Sequence, residues 1–278
     1  MMMVVDKKKV IFKMSITIKL QGGLGNQLFQ VAALDYVANL LNEKTRKYIK
    51  APTNFHSSQD YFSSPSIFSG LHLQLQEEHQ NENNLIQVNE NNSKYNADIS
   101  YVDKDWVSVK EQFIDSGKDI VLFGYFQHWK YVTDSFIKKL VLPDTETLKG
   151  AFIHLRGGDY VNHFIHGIDL RTYYKNAVKQ FPSGTHFYIF TNDQDYAQVF
   201  DFKNSTLLKE SNEVTSLALM SRCTDGGICA NSTFSWWAGF LNRGTIVVPD
   251  TWSSNKECIV DEGYFHPRFI KISTSILL

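Results

Sequence analysis

Apolar positions recur along the chain with two alternating periods, one typical of strands and the other of helices. Residues 15–20 (Ser-Ile-Thr-Ile-Lys-Leu) alternate as a half-buried strand does, and residues 26–42 then repeat apolar side chains at helical spacing. Strands that alternate with helices in this way favour a parallel α/β architecture. The pattern further predicts strands at 46–50, 120–126, 149–155, 186–191, 227–230 and 245–248, and helices at 131–140, 171–180, 213–222 and 233–241.

Two segments lack this periodicity. Residues 76–96 are rich in Asn, Gln and Glu, which predicts a solvated loop. Pro143-Asp-Thr-Glu is the expected linker between the two halves of the chain. We therefore expect an N-terminal extension at 1–14, a first lobe at 15–143 and a second lobe at 144–278.

A glycine-rich turn follows the first strand. Gly22-Gly-Leu-Gly-Asn-Gln-Leu-Phe-Gln30 lies between a strand and a helix, where a backbone can approach a ligand closely. The run lacks the third glycine and the acidic residue of a dinucleotide-binding fingerprint, so that interpretation is weak. From the residues alone, Asn26 either caps the helix or reaches a ligand.

A second motif, Phe152-Ile-His-Leu-Arg-Gly-Gly-Asp-Tyr160, delivers an arginine to the end of an apolar strand. Ligands of open α/β sheets bind at the carboxyl ends of strands, and an arginine there can contact a phosphate with two hydrogen bonds. The alternative role for Arg156 is a salt bridge between lobes. His154 is either a satisfied core residue or a nucleotide contact.

The third motif is Asn231-Ser-Thr-Phe-Ser-Trp-Trp-Ala-Gly-Phe-Leu-Asn242, a polar run that opens a helix. Small hydroxyl residues cap the free N–H groups of such a helix and also leave its N-terminus open to an anion. Trp236 and Trp237 stand at helical spacing, which favours core packing over sugar stacking.

Together, these motifs resemble the bacterial α-1,2-fucosyltransferases of glycosyltransferase family 11, which carry GGLGNQLFQ, HxRRGDY and ANSSFSWWxAWLN in this order. The resemblance spans about residues 14–250. Three further matching stretches are Gly124-Tyr-Phe-Gln-His-Trp-Lys-Tyr131, His166-Gly-Ile-Asp-Leu-Arg-Thr-Tyr-Tyr174 and Tyr188-Ile-Phe-Thr-Asn-Asp193.

The resemblance implies a GT-B fold, which is an α/β fold of two Rossmann-like lobes facing each other across a cleft. It also implies inverting, metal-independent transfer of L-fucose from GDP-β-L-fucose to the 2-hydroxyl of a terminal galactose, with no cofactor. Arg156 would neutralise the diphosphate, Asn26 would reach the sugar, and Asp159 would act as the base or, as we favour, brace Arg156. The residues expected against the donor are Gly23, Gly25, His154, Arg156, Asp193, Glu213, Ser232, Thr233, Phe234 and Ser235.

Three stretches depart from the family pattern, and to one of them, Cys223-Thr-Asp-Gly-Gly227 in place of Cys-Lys-His, we assign no effect. Gly157 replaces the second Arg of HxRRGDY, and Ser216 replaces an acidic residue that recognises guanine in related folds. Glu213, one helical turn earlier, is the expected substitute for that acid. We expect the family's second Arg to be dispensable, so that Gly157→Arg would be neutral or activating.

Two alternatives to this function stay open. Asp193-Gln-Asp195 follows an apolar strand, and such a pair can hold a divalent cation and a nucleotide diphosphate in a metal-dependent transferase that uses another nucleotide sugar. The other alternative is a catalytically degenerate protein that binds a nucleotide or glycan without turnover, because of Gly157.

Composition narrows the class of partner. The net charge of −1 gives no electrostatic footprint for nucleic acid, and no apolar run is long enough to span a bilayer.

Residues 1–14 lack the apolar segment of a signal peptide, and Met14 is an alternative start. Cys223, Cys229 and Cys258 form no CxxC pair and suit a reducing cytoplasm, with inert buried thiols at the first two.

The acceptor is the least determined feature. The first lobe shapes the acceptor site in a GT-B arrangement, and four aromatic residues there are candidates for sugar stacking or for ordinary packing: Tyr61, Phe62, Trp106 and Trp129. Lactose-type, capsule and O-antigen β-galactosides all fit. A lipid-linked acceptor would bring the protein to the cytoplasmic face of the inner membrane.

Overall fold

The computed structural model describes residues 15–41, 45–50, 66–75, 85–90, 111, 118–164, 166–209, 212–254 and 263–275. The expected extension at 1–14, most of the 76–96 segment and Cys258 lie outside these residues.

The first lobe is a five-stranded parallel sheet with one long helix. Its strands are β1 (Ser15–Lys19), β2 (Arg46–Lys50), β3 (Gln74–Leu75), β4 (Leu85–Asn89) and β5 (Asp119–Phe123). They lie in the order β3-β2-β1-β5-β4. The helices are α1 (Leu24–Leu41), 3₁₀ turns at Ser69–Leu71 and Trp129–Tyr131, and α2 (Asp134–Ile137). The strand order reverses between β1 and β5, so their carboxyl ends form a crevice.

The second lobe is a six-stranded parallel sheet. Its strands are β6 (Ala151–Leu155), β7 (Phe187–Thr191), β8 (Ser205–Leu207), β9 (Gly226–Ile228), β10 (Thr245–Pro249) and β11 (Ile270–Ile272). The helices are α3 (Arg171–Ala177), α4 (Gln194–Ala197), α5 (Glu213–Ser221) and α6 (Thr233–Leu241), with 3₁₀ turns at Gly158–Tyr160 and Val178–Gln180. The order β8-β7-β6-β9-β10-β11 is that of a Rossmann fold, with its crevice between β6 and β9.

Most predicted elements are confirmed with small shifts at their ends, and two predictions are wrong. The predicted helix 131–140 is a 3₁₀ turn followed by α2, because the Thr133 hydroxyl accepts a hydrogen bond from the Phe136 N–H and starts a new helix. The expected loop at 76–96 contains β4, which pairs with β5 although only Val88 of the strand is buried.

A continuous apolar core joins the two lobes. The Phe29 ring of α1 packs against Trp236 and Trp237 of α6, with ring centroids 4.6 and 5.1 Å apart. Both indoles are almost fully buried, which confirms that they belong to the core. The second lobe adds Tyr264, whose backbone carbonyl accepts a hydrogen bond from the Trp236 indole. None of the helices in the described ranges is long and apolar enough to cross a membrane.

Two cysteines behave as predicted from sequence. Cys223 and Cys229 are buried free thiols, and burial raises the pKa of each to about 12. Neither thiol is therefore a reactive thiolate near neutral pH.

A buried carboxylate ties α1 to its surroundings. The Asp35 side chain is fully buried, and it accepts hydrogen bonds from the ammonium groups of Lys47 at 2.6 Å and Lys139 at 3.0 Å. Burial alone would raise the pKa of Asp35, but hydrogen bonds from the two lysines outweigh it and lower that pKa below its ordinary value of 3.8. The ionised carboxylate therefore links the helix to β2 and to the segment after α2.

We predict that Asp35→Asn lowers the free energy of unfolding by about 2 kcal/mol at neutral pH, less than for a fully buried pair because both lysines are partly exposed. Because the folded pKa is lowered, the ionic contribution is complete above the unfolded pKa of 3.8 and is lost as the pH falls through the folded value. Urea denaturation at several pH values would measure this.

The matched control is Asp169→Asn, which breaks the exposed Asp169–Arg171 pair and should change stability little. A stability gap between wild type and Asp35→Asn that is absent at neutral pH, or that persists undiminished in acid, would contradict the prediction.

Candidate active site

Arg156 lies where the strand order of the second sheet reverses. It follows β6 directly, and its guanidinium donates to both carboxylate oxygens of Asp159, at 2.7 and 3.0 Å. The guanidinium also lies 4.9 Å from the ring centroid of Tyr160. The ion pair is local to one turn, so Arg156 is not the interlobe salt bridge considered from sequence.

Two buried nitrogens at this place, one of them in Arg156 itself, have no hydrogen-bond partner among the described residues. They are Arg156 Nε and His154 Nδ1. Burial, with a smaller contribution from Arg156, lowers the pKa of His154 to about 3, so its imidazole is neutral. Buried polar atoms in folded proteins are nearly always satisfied, so these two nitrogens have hydrogen-bonding capacity that a polar ligand or a water molecule could use.

The turn after Arg156 is held by Asp193. One oxygen of the Asp193 carboxylate accepts from the Tyr196 N–H and caps α4, and the other accepts from the Gly158 N–H at 2.8 Å. These hydrogen bonds lower the pKa of Asp193. Both carboxylate oxygens thus have structural partners, and Asp195 is an exposed first-turn residue of the same helix.

The N-terminus of α6 follows β9, the strand that pairs with β6. Ser232 is the N-cap residue, but its hydroxyl makes no capping hydrogen bond. Ser235 is fully buried, and its hydroxyl accepts from the Ala230 N–H at 2.9 Å, which is a structural use of that side chain. Thr233 and Phe234 are half-buried, and the Phe234 ring lies 5.4 Å from the His154 ring.

Asn26 of the first lobe is not a helix cap. Helix α1 begins two residues before it, and the Asn26 side chain accepts a hydrogen bond from the Gln127 amide at 2.9 Å. Gly22 adopts a φ of +76°, and a Cβ there would lie 2.3 Å from Asn26 Nδ2. Gly23 is exposed with open space around it.

Gly25 brings the two lobes into contact. A Cβ at Gly25 would lie 2.3 Å from the backbone nitrogen of Phe234, so only glycine allows α1 to approach α6 this closely. Burial raises the pKa of Tyr160 to about 12, and Tyr125, which follows β5, lies near enough to add a small further rise. The carboxyl ends of both sheets therefore meet at one junction.

Glu213 opens α5, whose N-cap is Asn212. Because α5 connects β8 with β9, its first turn lies at the same carboxyl edge of the second sheet as Arg156. Ser216, which stands where the family that the sequence resembles carries an acidic residue, follows in the same helix.

Sequence reasoning missed the residues that shape this junction. Asn231 donates its side-chain amide to the carbonyls of His166 and Trp252, at 3.0 and 3.1 Å. Gln127 lies in Gly124–Tyr131, one of the stretches that match the family, and that match was a signal that could have identified it. Glu90 follows β4, and its carboxylate accepts hydrogen bonds from the backbone N–H groups of Tyr125 and Phe126. It lies in the Asn-rich segment, where nothing in the sequence distinguished it from its neighbours.

Known proteins are similar in sequence to this chain. Residues 128–273, more than half of the chain, match the family model described as Glycosyl transferase family 11. A galactoside 2-alpha-L-fucosyltransferase from Caenorhabditis elegans is 25% identical over 309 residues, covering 98% of this chain and 82% of that protein. An alpha-1,2-colitosyltransferase from Escherichia coli is 27% identical over 121 residues, covering 38% of this chain and 41% of that protein.

A solved structure shows the same fold. The chain resembles the fucosyltransferase NodZ from Bradyrhizobium with a TM-score of 0.51 and 10% identity, covering 83% of this chain and 93% of that one. This likeness confirms the expected GT-B architecture of two parallel Rossmann-like sheets. The protein therefore belongs to glycosyl transferase family 11 and is a glycosyltransferase.

Proposed function

We propose that this protein is a galactoside α-1,2-L-fucosyltransferase. It moves L-fucose from GDP-β-L-fucose to the 2-hydroxyl of a terminal galactose, with inversion at the anomeric carbon and without a metal ion. The nematode relative supports this assignment because it aligns with nearly the whole chain and carries that activity in its name.

Arg156 is the observation that carries the proposal. Its guanidinium stands at the crevice of the second sheet, beside the neutral imidazole of His154 and with its Nε unsatisfied among the described residues. A diphosphate in this crevice would supply the missing acceptor. Fixed positive charge that faces a leaving diphosphate stabilises the transition state of glycosyl transfer.

The remaining donor contacts come from the same crevice. The N–H groups at the start of α6, with the hydroxyls of Ser232 and Thr233, present donors and a positive helix end to the phosphates. Phe234 lies against the nucleotide, and Glu213 accepts from the guanine ring in place of the acid that Ser216 has lost. Asp193 and Ser235 do not contact the donor themselves, because each accepts a hydrogen bond from the backbone of a turn that faces the donor.

The chemical step joins groups from both lobes. The galactose O2 attacks C1 of fucose as the bond from C1 to the diphosphate oxygen breaks, and Asn26 donates to an oxygen of the transferring sugar. Asp159 is the candidate base for the O2 proton. Its pairing with Arg156 makes orientation of the guanidinium its first role, since a carboxylate held by an arginine is a weak base.

Metal-independent transfer is consistent with these positions. Both oxygens of Asp193 accept backbone N–H groups, so a cation bound by Asp193 and Asp195 would share that carboxylate with the hydrogen bonds that hold the Gly158 turn and cap α4. No group of three His, Cys, Asp or Glu side chains in the described part of the chain is arranged to hold a metal ion. Arg156 and the start of α6 supply the positive charge instead.

We assign the acceptor to the first lobe, at 15–143, and the donor to the second, at 144–278. Three of the aromatic residues considered for the acceptor, Tyr61, Phe62 and Trp106, lie outside the described residues. Trp129 is half-buried with its ring 5.2 Å from that of His266, so packing accounts for much of its surface. We propose a cytoplasmic protein that meets lipid-linked acceptors at the inner face of the membrane.

A colitose donor is the second candidate substrate to be tested. The Escherichia coli relative transfers colitose according to its name, and colitose differs from fucose by the loss of one ring hydroxyl. That match covers less than half of each chain, whereas the nematode match covers nearly all of this one. Fucose is therefore the better assignment.

The structure argues against the expectation that Gly157→Arg is harmless. A Cβ at Gly157 would lie 2.7 Å from the Cβ atoms of both Asp193 and Tyr196, closer than real side chains approach. The Gly157 N–H also donates to the Asn192 side chain at 3.0 Å. The loop is built around glycine, so any side chain at this position must displace it.

We predict that purified protein transfers fucose from GDP-fucose to a β-galactoside, that the new linkage is α to galactose O2, and that excess EDTA leaves the rate unchanged. Mass spectrometry and NMR of the products from a panel of galactosides would measure this, with GDP-colitose as the competing donor. EDTA-sensitive transfer would favour the Asp193/Asp195 alternative. Donor binding without turnover across the panel would favour a degenerate binding protein.

We predict that Gly157→Ala lowers kcat/KM for GDP-fucose by about 100-fold, because displacement of the loop by about 1 Å misaligns Arg156. Gly157→Arg should lose at least as much. Gly184→Ala is the control for backbone strain: this exposed turn glycine has a φ of +91° and open space around a built Cβ, so alanine there should lower stability through the backbone but leave activity unchanged. A fully active Gly157→Ala variant would show that the loop tolerates displacement.

A further inference from the structure

The Asn26 amide is held in one orientation by a residue far away in sequence. Gln127 donates from its side-chain amide to Asn26 Oδ1 at 2.9 Å. The opposite end of the Asn26 amide, Nδ2, lies over Gly22, and the one side-chain hydrogen bond that Asn26 makes to another described residue is the one it accepts at Oδ1. The donor end of this amide is therefore the end left for a ligand.

The loop that carries Gln127 is itself fixed on both sides. Gln30 is fully buried, and its amide bridges the two crevice loops by accepting from the Gln21 N–H and donating to the Gly124 carbonyl, both at 3.0 Å. The Glu90 carboxylate accepts from the backbone N–H groups of Tyr125 and Phe126.

This support holds an uncommon backbone conformation. Phe126 has a φ of +51°, which a non-glycine residue rarely adopts, and Gly124 has a φ of +151°. A Cβ at Gly124 would lie 2.3 Å from Glu90 Cβ, so the carboxylate approaches the loop only because glycine stands there. Residues held in such conformations cluster at functional sites, where the surrounding structure fixes them.

We propose that Gln127 is a positioning residue for the transfer reaction. It sets the polarity of the Asn26 amide, so that Nδ2 rather than Oδ1 faces the transferring sugar. The inference rests on the proposed function, in which Asn26 contacts that sugar. Glu90 and Gln30 fix the place of Gln127, and Gln127 fixes Asn26.

The polarity of this amide matters because charge develops on the departing oxygen. An N–H that points at that oxygen stabilises it, whereas a carbonyl oxygen in the same place repels it. A carboxylate at position 127 can only accept hydrogen bonds. It would favour the flipped Asn26 amide, with Nδ2 turned to the carboxylate and Oδ1 turned to the ligand.

Gln127→Glu should therefore lower kcat by about 100-fold, as expected for a misplaced catalytic contact, while the KM for GDP-fucose changes little. The KM should hold because the diphosphate is bound by the other lobe. Gln87→Glu is the matched control: Gln87 is an exposed glutamine of the same lobe whose amide also donates to an asparagine, Asn89. It should leave kcat and KM unchanged. Gln127→Met, which also cannot donate, replaces the carboxylate variant if urea denaturation shows that Gln127→Glu is unfolded.

A double-mutant cycle separates positioning from a merely structural role. If Gln127 acts through Asn26, then Gln127→Glu should have little further effect on kcat in an Asn26→Ala background. The same loss of kcat in both backgrounds, or no loss in the wild-type background, would overturn the inference.

An activity-independent measurement tests the same geometry. With selective ¹⁵N-asparagine labelling, the side-chain signal that disappears in Asn26→Ala is that of Asn26. Gln127→Glu should shift this signal downfield as the amide donates to the carboxylate, and Gln87→Glu should not. A shift in a protein that transfers no fucose would defeat the proposed function while preserving the positioning role, and an unmoved signal would defeat the positioning role.

Discussion

The close approach of α1 to α6 is the contact on which the rest of the structure depends. Gly25 lies so near the backbone of Phe234 that a single methyl group would separate the helices. The contact joins the first turns of two helices, each of which follows a strand at the reversal point of its own sheet. The aromatic core of Phe29, Trp236 and Trp237 fills the space behind it.

Each lobe contributes a different kind of group to the junction. The second lobe supplies the Arg156 charge and the N-terminus of α6, which suit an anion. The first lobe supplies the Asn26 amide, whose orientation depends on Gln127. A ligand that is anionic at one end and a sugar at the other matches this division. A nucleotide sugar therefore suits the junction better than a nucleotide alone does.

Much of this was predictable because strong periodicity and glycine turns are local signals. The strand that carries Arg156, the helix after Ser232 and the GT-B arrangement all followed from such signals or from the family resemblance. The features that escaped prediction depend on long-range contacts. The Glu90 carboxylate, for example, accepts a hydrogen bond from the Phe126 N–H only because β4 pairs with β5. The crowding of Gly157 escaped prediction for the same reason, since Asp193 and Tyr196 belong to a different strand–helix unit.

Steady-state kinetics of Arg156→Ala with GDP-fucose would measure whether Arg156 neutralises the leaving diphosphate. Arg171→Ala is the matched control, because Arg171 pairs with a carboxylate two residues away in the same lobe but is exposed. We predict that Arg156→Ala raises the barrier for kcat/KM by about 3 kcal/mol or more, whereas Arg171→Ala stays near wild type. Near wild-type turnover by Arg156→Ala would contradict this role for Arg156 and would mean that the diphosphate binds away from the crevice of the second sheet.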